Sequence, residues 1–233
     1  MKPNTSNFIS DPDPLAVYLL DGCTGAEDVS DNHNNGEVGS ISYTSGPDGT
    51  LRGAMAFSGS SDSYVHMVNN NGSLDVFYSM SVFMYVYIES EGFVMNYGRD
   101  ESRVGFYYEG SQLQVRFRER DQGIGLGETV DATLDQAKWY QVGVTYDYET
   151  AEAKMYVDGA EVDSKTFSEK RTLSTNDDLY FGANGNTDLS DFRGAVSCVY
   201  VYDRAITTEE IIATATCPER MSYSNTEFHI LLN

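Results

Sequence analysis

Lys138-Trp139-Tyr140-Gln141-Val142-Gly143-Val144-Thr145-Tyr146-Asp147, followed by Lys154-Met155-Tyr156-Val157-Asp158-Gly159, is the stretch on which the fold turns. It reads as two neighbouring strands rich in β-branched and aromatic residues. The Asp-Gly pair that closes it is a strong two-residue hairpin signal, because both turn positions need positive φ. Toward the C-terminus, Leu179-Tyr180-Phe181-Gly182 and Ala195 to Tyr202 continue the pattern of short strands.

Toward the N-terminus the clearest strand is residues 80–88. Met80, Val82, Met84, Val86 and Ile88 point one way, and Ser81, Phe83, Tyr85 and Tyr87 the other. The aliphatic face is expected in the core. The aromatic face is either a second buried face or a platform on a concave sheet. In residues 113–120, Leu113, Val115 and Phe117 face in, while Gln114, Arg116, Arg118 and Arg120 face out as an arginine stripe. Strands are also expected at 15–20, 54–57, 63–67, 93–97 and 104–108. One helix is expected after Ile206, where Thr207 and Glu210 form a capping box before Ile211 and Ile212, and Pro218 stops the pattern. The sum is an all-β, two-sheet antiparallel sandwich with one short C-terminal helix.

At 233 residues an all-β chain of this kind is expected to be one domain. The polar, proline-bearing residues 1–13 read as a mobile N-terminal arm, 14–217 as the sandwich, and 218–233 as a C-terminal tail. Residues 1–20 carry Asp and Pro where a signal peptide would be apolar, so the start reads as that of a trimmed chain. The formal charge of −21 argues against nucleic acid and against anionic membranes, and no run approaches the roughly 18 apolar residues of a membrane span. It suits an extracellular protein, secreted or part of an ectodomain, or one that binds divalent cations. Cys198 and Cys217 bracket the last strand and the helix, and are expected to form a disulfide in an oxidising compartment, with Cys23 left over.

The order of these pieces resembles the laminin G-like, concanavalin A-like (pentraxin-like) jelly-roll family, from about Leu15 to Cys217. The resemblance is carried by Phe57-Ser58-Gly59 with Asp62-Ser63-Tyr64-Val65, by Trp139 to Asp147, by Tyr156 to Gly159, and by Phe192 to Ile211 with its Tyr202-Asp203-Arg204-Ala205. It implies a jelly-roll β-sandwich. Trp139, the single Trp, is expected to pack at the core, and Gly182 and Gly194 to allow close backbone approach.

Relatives often hold calcium in the loop after the first strand. Here Asp28, Asp31 and Asn35 supply carboxylate and amide oxygens of the kind Ca2+ prefers, and the alternative is a solvated Asx-rich turn. Pentraxin-like relatives bind calcium with acids from two further loops. The comparable loops here are 99–102 and 183–188, whose acids do not match that pattern cleanly; they contribute Asp100 and Asn184 as ligand-binding candidates. Arg116 and Arg118, with Arg103, are candidates to clamp a carboxylate or sulfate, and Tyr85, Tyr87 and Tyr107 to complete a sugar platform. The alternative is cross-strand pairing of these arginines with surface acids. The paired-carboxylate pattern of the family's glycanases is missing from the strand regions, so catalysis is not expected. The function expected is a non-catalytic module for carbohydrate recognition, lectin-like or matrix-adhesive, with calcium assisting. A protein–protein adhesion module is the alternative.

Overall fold

The computed structural model describes residues 13–99, 103–120, 127–183 and 192–217. Two antiparallel sheets stack face to face. The first contains β1 (Ala16–Tyr18), β3 (Ser42–Thr44), β4 (Ala54–Ser58), β6 (Met80–Ile88), β11 (Trp139–Asp147), β12 (Glu152–Val157), β13 (Ala160–Thr166) and β15 (Arg193–Tyr202). Their order is β13-β12-β11-β6-β15-β4-β3, with β1 alongside the far half of β15. The second sheet contains β2 (Gly36–Val38), β5 (Tyr64–Met67), β7 (Gly92–Tyr97), β8 (Gly105–Glu109), β9 (Gln112–Arg118), β10 (Gly127–Thr133) and β14 (Leu179–Gly182), in the order β10-β9-β8-β7-β14-β5-β2. Neighbours in sequence such as β4 and β5 belong to different sheets, so the chain crosses the sandwich between Ser58 and Tyr64.

The core lies between the sheets. Met80, Val82, Met84, Val86 and Ile88 of β6 join Val142, Val144 and Tyr146 of β11, and share one cluster with Leu113, Val115 and Phe117 of β9 and Leu179 and Phe181 of β14. Each such side chain removed from water contributes roughly 1.5–3 kcal/mol. Buried tyrosines keep their hydroxyls satisfied by reaching loop carbonyls: Tyr18 donates to Asn34 O at 2.7 Å, Tyr97 to Leu74 O at 3.1 Å and Tyr108 to Leu134 O at 2.9 Å. Burial pushes the Tyr18 and Tyr97 hydroxyls well above the ordinary tyrosine range, so they remain donors. The tyrosines thereby tether loops to the core.

The hairpin at Asp158-Gly159 has φ of 49° and 79°, as the Asp-Gly signal requires. The turn between β8 and β9, Gly110-Ser111, uses the same geometry (57° and 68°) without that signature. β13 is polar on both faces and leans on the opposite sheet's edge strand. There Lys165 pairs with Glu128 at 2.6 Å, and the Asp131 amide donates to Asp163 Oδ2 at 3.0 Å. Strands β2, β3, β10 and β13 are absent from the sequence expectation; β2, β3 and β13 lack apolar alternation, and β10 carries only a short one at Val130 and Ala132.

The helix α1 (Thr208–Ala213) begins with the expected capping box: Thr207 accepts from Glu210 N, and Glu210 accepts from Thr207 N at 2.7 Å. Arg204 adds two bonds to the same carboxylate at 2.8 and 2.9 Å. A second hydrophobic cluster joins Ile206 and Ile211 to Phe83, Tyr156, Tyr200, Tyr202 and Cys198 on the outer face of the eight-stranded sheet, with Tyr85 and Cys217 packed at its margin. The Cys198–Cys217 disulfide closes this layer, with Cα atoms 5.6 Å apart. Here Gly143 is obligatory, since a Cβ would stand 2.0 Å from the Phe83 ring. The aromatic face of β6 is thus a second buried face at Phe83, while Tyr85 and Tyr87 are half-buried.

Trp139 departs from expectation. It opens β11 on the outward side, half-buried, its ring 5.6 Å from Tyr87, and belongs to neither hydrophobic cluster. Alternation is the reason: Tyr140, Val142, Val144 and Tyr146 face the core, so Trp139 faces outward. Gly182 and Gly194 hold to expectation: a Cβ would lie 2.3 Å from the Phe57 ring and 2.1 Å from Tyr87 O respectively.

Candidate functional site

Alternation places the site. In β9 the aliphatic residues fill the core, so Gln114, Arg116 and Arg118 point to the outer face of the seven-stranded sheet. The same rule turns Tyr107 of β8, Phe93 and Asn96 of β7, Tyr180 of β14 and His66 of β5 outward, since Phe106, Tyr108, Val94, Met95, Leu179, Phe181, Val65 and Met67 are core. Strand pairing then aligns one row across the sheet: His66, Tyr180, Asn96, Gly105, Arg116 and Thr129.

Two arginine–aromatic assemblies stand on this face. At one, the Arg116 guanidinium lies 4.9 Å from the Tyr107 ring centre and 5.8 Å from that of Phe93, whose rings are 4.6 Å apart. At the other, Arg99 donates through Nε to the Tyr180 hydroxyl at 3.0 Å, with its guanidinium 5.5 Å from the ring centre. His66 stacks on Tyr180 at 4.5 Å, the two ring planes nearly parallel. The imidazole is anchored by Asp178, with Nε2 and Oδ2 2.8 Å apart, and Asp178 also accepts from Asn69 N. Burial alone would raise the Asp178 carboxyl, but the His66 hydrogen bond and the Asn69 amide together hold it below the usual carboxylate range. Three strand spacings separate Tyr180 from Arg116, about 14 Å. Between them the buried Asn96 amide sits over Gly105, where a Cβ would stand 2.3 Å from Asn96 Oδ1. Phe93, Tyr180 and Asn96 are buried under this layer, so the face offers the half-buried Tyr107 ring and guanidinium donors, a set suited to stacking on sugar C–H surfaces and holding anionic substituents.

The other expected members fall elsewhere. Tyr85 and Tyr87 are corrected: they lie on the outer face of the opposite sheet and cannot share a platform with Arg116, Arg118 and Tyr107. Tyr85 instead donates to Ala215 O at 2.8 Å, beneath the end of the helix. Arg118 lies on the arginine face, over Gly127, where a Cβ would meet its side chain at 2.6 Å. Arg103 is at the rim, with Nε 2.5 Å from Asp177 Oδ2 and Nη1 3.0 Å from Ser174 Oγ, and Arg120 is paired with Asp75, so both follow the ion-pair alternative. Asp100 and Asn184 lie outside the described residues.

In the calcium candidate, Asp28 is buried. Its Oδ1 accepts from Val17 N and Ser30 N and its Oδ2 from Asn34 N, at 2.8–3.0 Å. Asn35 Oδ1 accepts from Asp28 N, and Asp31 is exposed. The loop is ordered by these bonds. Among the described residues no group of three or more His, Cys, Asp or Glu is close enough to hold a metal. Sequence reasoning missed Arg99, His66, Tyr180, Phe93 and Asn96. The outward positions were readable, but the pairing of β5 with β14, more than a hundred residues apart, was not.

Among solved structures, the chain resembles the binding domain of Paraclostridial Mosquitocidal Protein 1 (TM-score 0.64, 17% identity, covering 81% of this chain and 48% of that one). It resembles equally the botulinum neurotoxin serotype D ligand binding domain in complex with N-acetylneuraminic acid (0.67, 14%, 87% and 50%). A third is the binding domain of botulinum neurotoxin DC in complex with rat synaptotagmin II (0.68, 13%, 87% and 51%). This chain spans about half the length of each, and the likeness is one of fold. No curated protein sequence matches it. The sequence profile described as the concanavalin A-like lectin/glucanases superfamily matches residues 58–212, most of the sandwich, and the chain belongs to that superfamily.

Proposed function

We propose that this chain is a non-catalytic extracellular binding module that recognises acidic carbohydrate on the outer face of its seven-stranded sheet. The observation that carries the reading is the pair of arginine–aromatic assemblies, Arg116 with Tyr107 and Phe93, and Arg99 with Tyr180 and His66, on one sheet face. A pyranose stacks its C–H surface on a ring, and a carboxylate or sulfate takes charge-assisted bonds from a guanidinium. The complex of a similarly folded domain with N-acetylneuraminic acid agrees with this reading. Calcium bound at the Asp28–Asn35 loop, through Asp31 and loop carbonyls, is the assisting ion in this proposal. The disulfide and the −21 charge agree with an extracellular setting.

The test is a glycan array including sulfated and sialylated ligands, run in calcium and in chelator with wild type and Arg116→Ala. Binding of acidic glycans lost in the variant supports the reading, and loss in chelator adds the calcium role. A blank array overturns it. The second reading, a protein–protein adhesion module, is favoured by an aromatic surface at one end of the sandwich. There Phe77 and Tyr78 are 42% and 54% exposed and meet edge-on, and Tyr78 also meets Tyr148 edge-on. A synaptotagmin complex of another similarly folded domain agrees with it.

A further inference from the structure

We propose that Asn71 is the attachment site of an N-linked glycan. Asn71-Gly72-Ser73 and Asn4-Thr5-Ser6 are the two Asn-x-Ser/Thr acceptor tripeptides of the sequence, and Asn4 lies outside the described residues. The proposal rests on the extracellular setting argued above, since this modification is made in the secretory pathway. Such tripeptides are common by chance, and it is the loop presenting Asn71 that carries the assignment.

The loop joins β5 to β6 and is pinned on both sides of the tripeptide. Before it, Asn69 engages its whole side chain: Oδ1 accepts from Leu74 N at 2.8 Å, and Nδ2 donates to Thr175 O at 3.1 Å and to Asp177 O at 3.2 Å. The Asn69 amide donates to Asp178 Oδ1 at 2.8 Å. After it, Leu74 is buried with its carbonyl accepting from the Tyr97 hydroxyl, and Val76 N donates to Thr175 Oγ1 at 2.9 Å. Between these anchors Asn71, Gly72 and Ser73 are all exposed. Asn71 and Gly72 have φ of 67° and 73°, a left-handed reversal that Asn and Gly adopt with the least strain.

Asn32, Asn34, Asn35 and Asn69 hold their loops through side-chain hydrogen bonds. The Asn71 carboxamide makes none among the described residues. A glycan is transferred to the emerging chain, so the folded protein must leave room for it and must not need the amide elsewhere. Asn71 meets both conditions, and the space beside it is open: a Cβ at Gly72 would meet only Asp75 Cβ, at 3.6 Å. In the transfer, Asn71 Nδ2 attacks the anomeric carbon of an oligosaccharide carried on a lipid diphosphate. The N-glycosidic bond forms and the bond from that carbon to the diphosphate oxygen breaks. The lipid diphosphate leaves with the electron pair, and Nδ2 gives up one proton. Ser73 supplies the hydroxyl that the acceptor motif requires.

The test is translation of the full chain, behind a cleavable signal peptide, into microsomes in an Asn4→Gln background. Protection from added protease identifies the chains that have entered the lumen. Most of these are expected to show one step of slower gel mobility, reversed by peptide N-glycosidase. The step should vanish in Asn71→Gln and in Ser73→Ala and persist in Ser73→Thr. Release in heavy-oxygen water should leave labelled aspartate at position 71, whereas unlabelled aspartate there is spontaneous deamidation of the Asn-Gly pair. Glycosylated and enzymatically deglycosylated chains should close the Cys198–Cys217 disulfide equally. The added signal peptide makes the result independent of how the native chain is routed, and a blank glycan array leaves it untouched. No step in protected chains, a step that survives Ser73→Ala, unlabelled aspartate alone, or disulfide closure confined to unglycosylated chains overturns the proposal.

Discussion

The two outer faces of the sandwich obey the same alternation and end with opposite characters. On the eight-stranded sheet, β6 sends out Phe83, Tyr85 and Tyr87, and the helix α1 with the Cys198–Cys217 disulfide closes over part of that surface. On the seven-stranded sheet, β9 sends out Gln114, Arg116 and Arg118 beside Tyr107 and Phe93. Aromatic rings occur on both. Where they meet aliphatic side chains from Val17, Ile206 and Ile211 they become a second core, and where they meet arginines they become a polar, aromatic surface. What packs against a ring, more than the ring itself, decides between stability and recognition.

That contrast is open to attack by substitution. The largest effect is expected from Phe83→Ala, which empties the second core and should cost about 3–5 kcal/mol in denaturant unfolding. Glycan binding by the folded fraction should be unchanged; a parallel loss of binding would mean that the two faces are coupled. Replacing both Cys198 and Cys217 by Ala should cost about 3 kcal/mol, read as a lower melting temperature that matches the reduced wild type. Thr207→Ala removes the helix cap and should cost about 1 kcal/mol. Arg116→Ala loses a cation–aromatic contact worth roughly 0.5–1 kcal/mol, a small change in unfolding, yet it should abolish binding of acidic glycans. A large stability loss with binding retained would reverse the roles assigned to the faces.

The smallest effect is a pH dependence on the arginine face. The folded-state value of Asp178 is lowered, so its contribution is present above the ordinary aspartate value of about 3.9 and is lost as pH falls through the folded value. Melting curves between pH 5 and pH 2.5 should converge for wild type and Asp178→Asn at the acid end. A constant gap would show that the His66–Asp178 pairing is not the source.

Much of the fold was legible because its central strands announce themselves. Residues 80–88 alternate without a break, Asp158-Gly159 names its own turn, and Thr207 with Glu210 names its helix start. These are local signals. Strand β13 carries no such pattern and is placed by the hairpin before it and by its polar contacts to β10. The site was half legible: Arg116 and Arg118 are outward because of their own neighbours, whereas joining them to Tyr107 rather than Tyr85 needs to know which strands share a sheet. Arg99, His66 and Tyr180 meet only through pairings between distant segments, and no spacing in the sequence encodes those.

The rim where β13 leans on β10 has a further consequence. A sandwich has two open edges per sheet, and an uncovered edge invites another chain to add a strand. Here the outermost strands of both sheets on one side are polar and joined to each other by Lys165 with Glu128 and by Asp131 with Asp163. On the other side, β2 and β3 are three residues long. A protein with so apolar an interior thus gives sheet-to-sheet polymerisation little to grow from at the described edges.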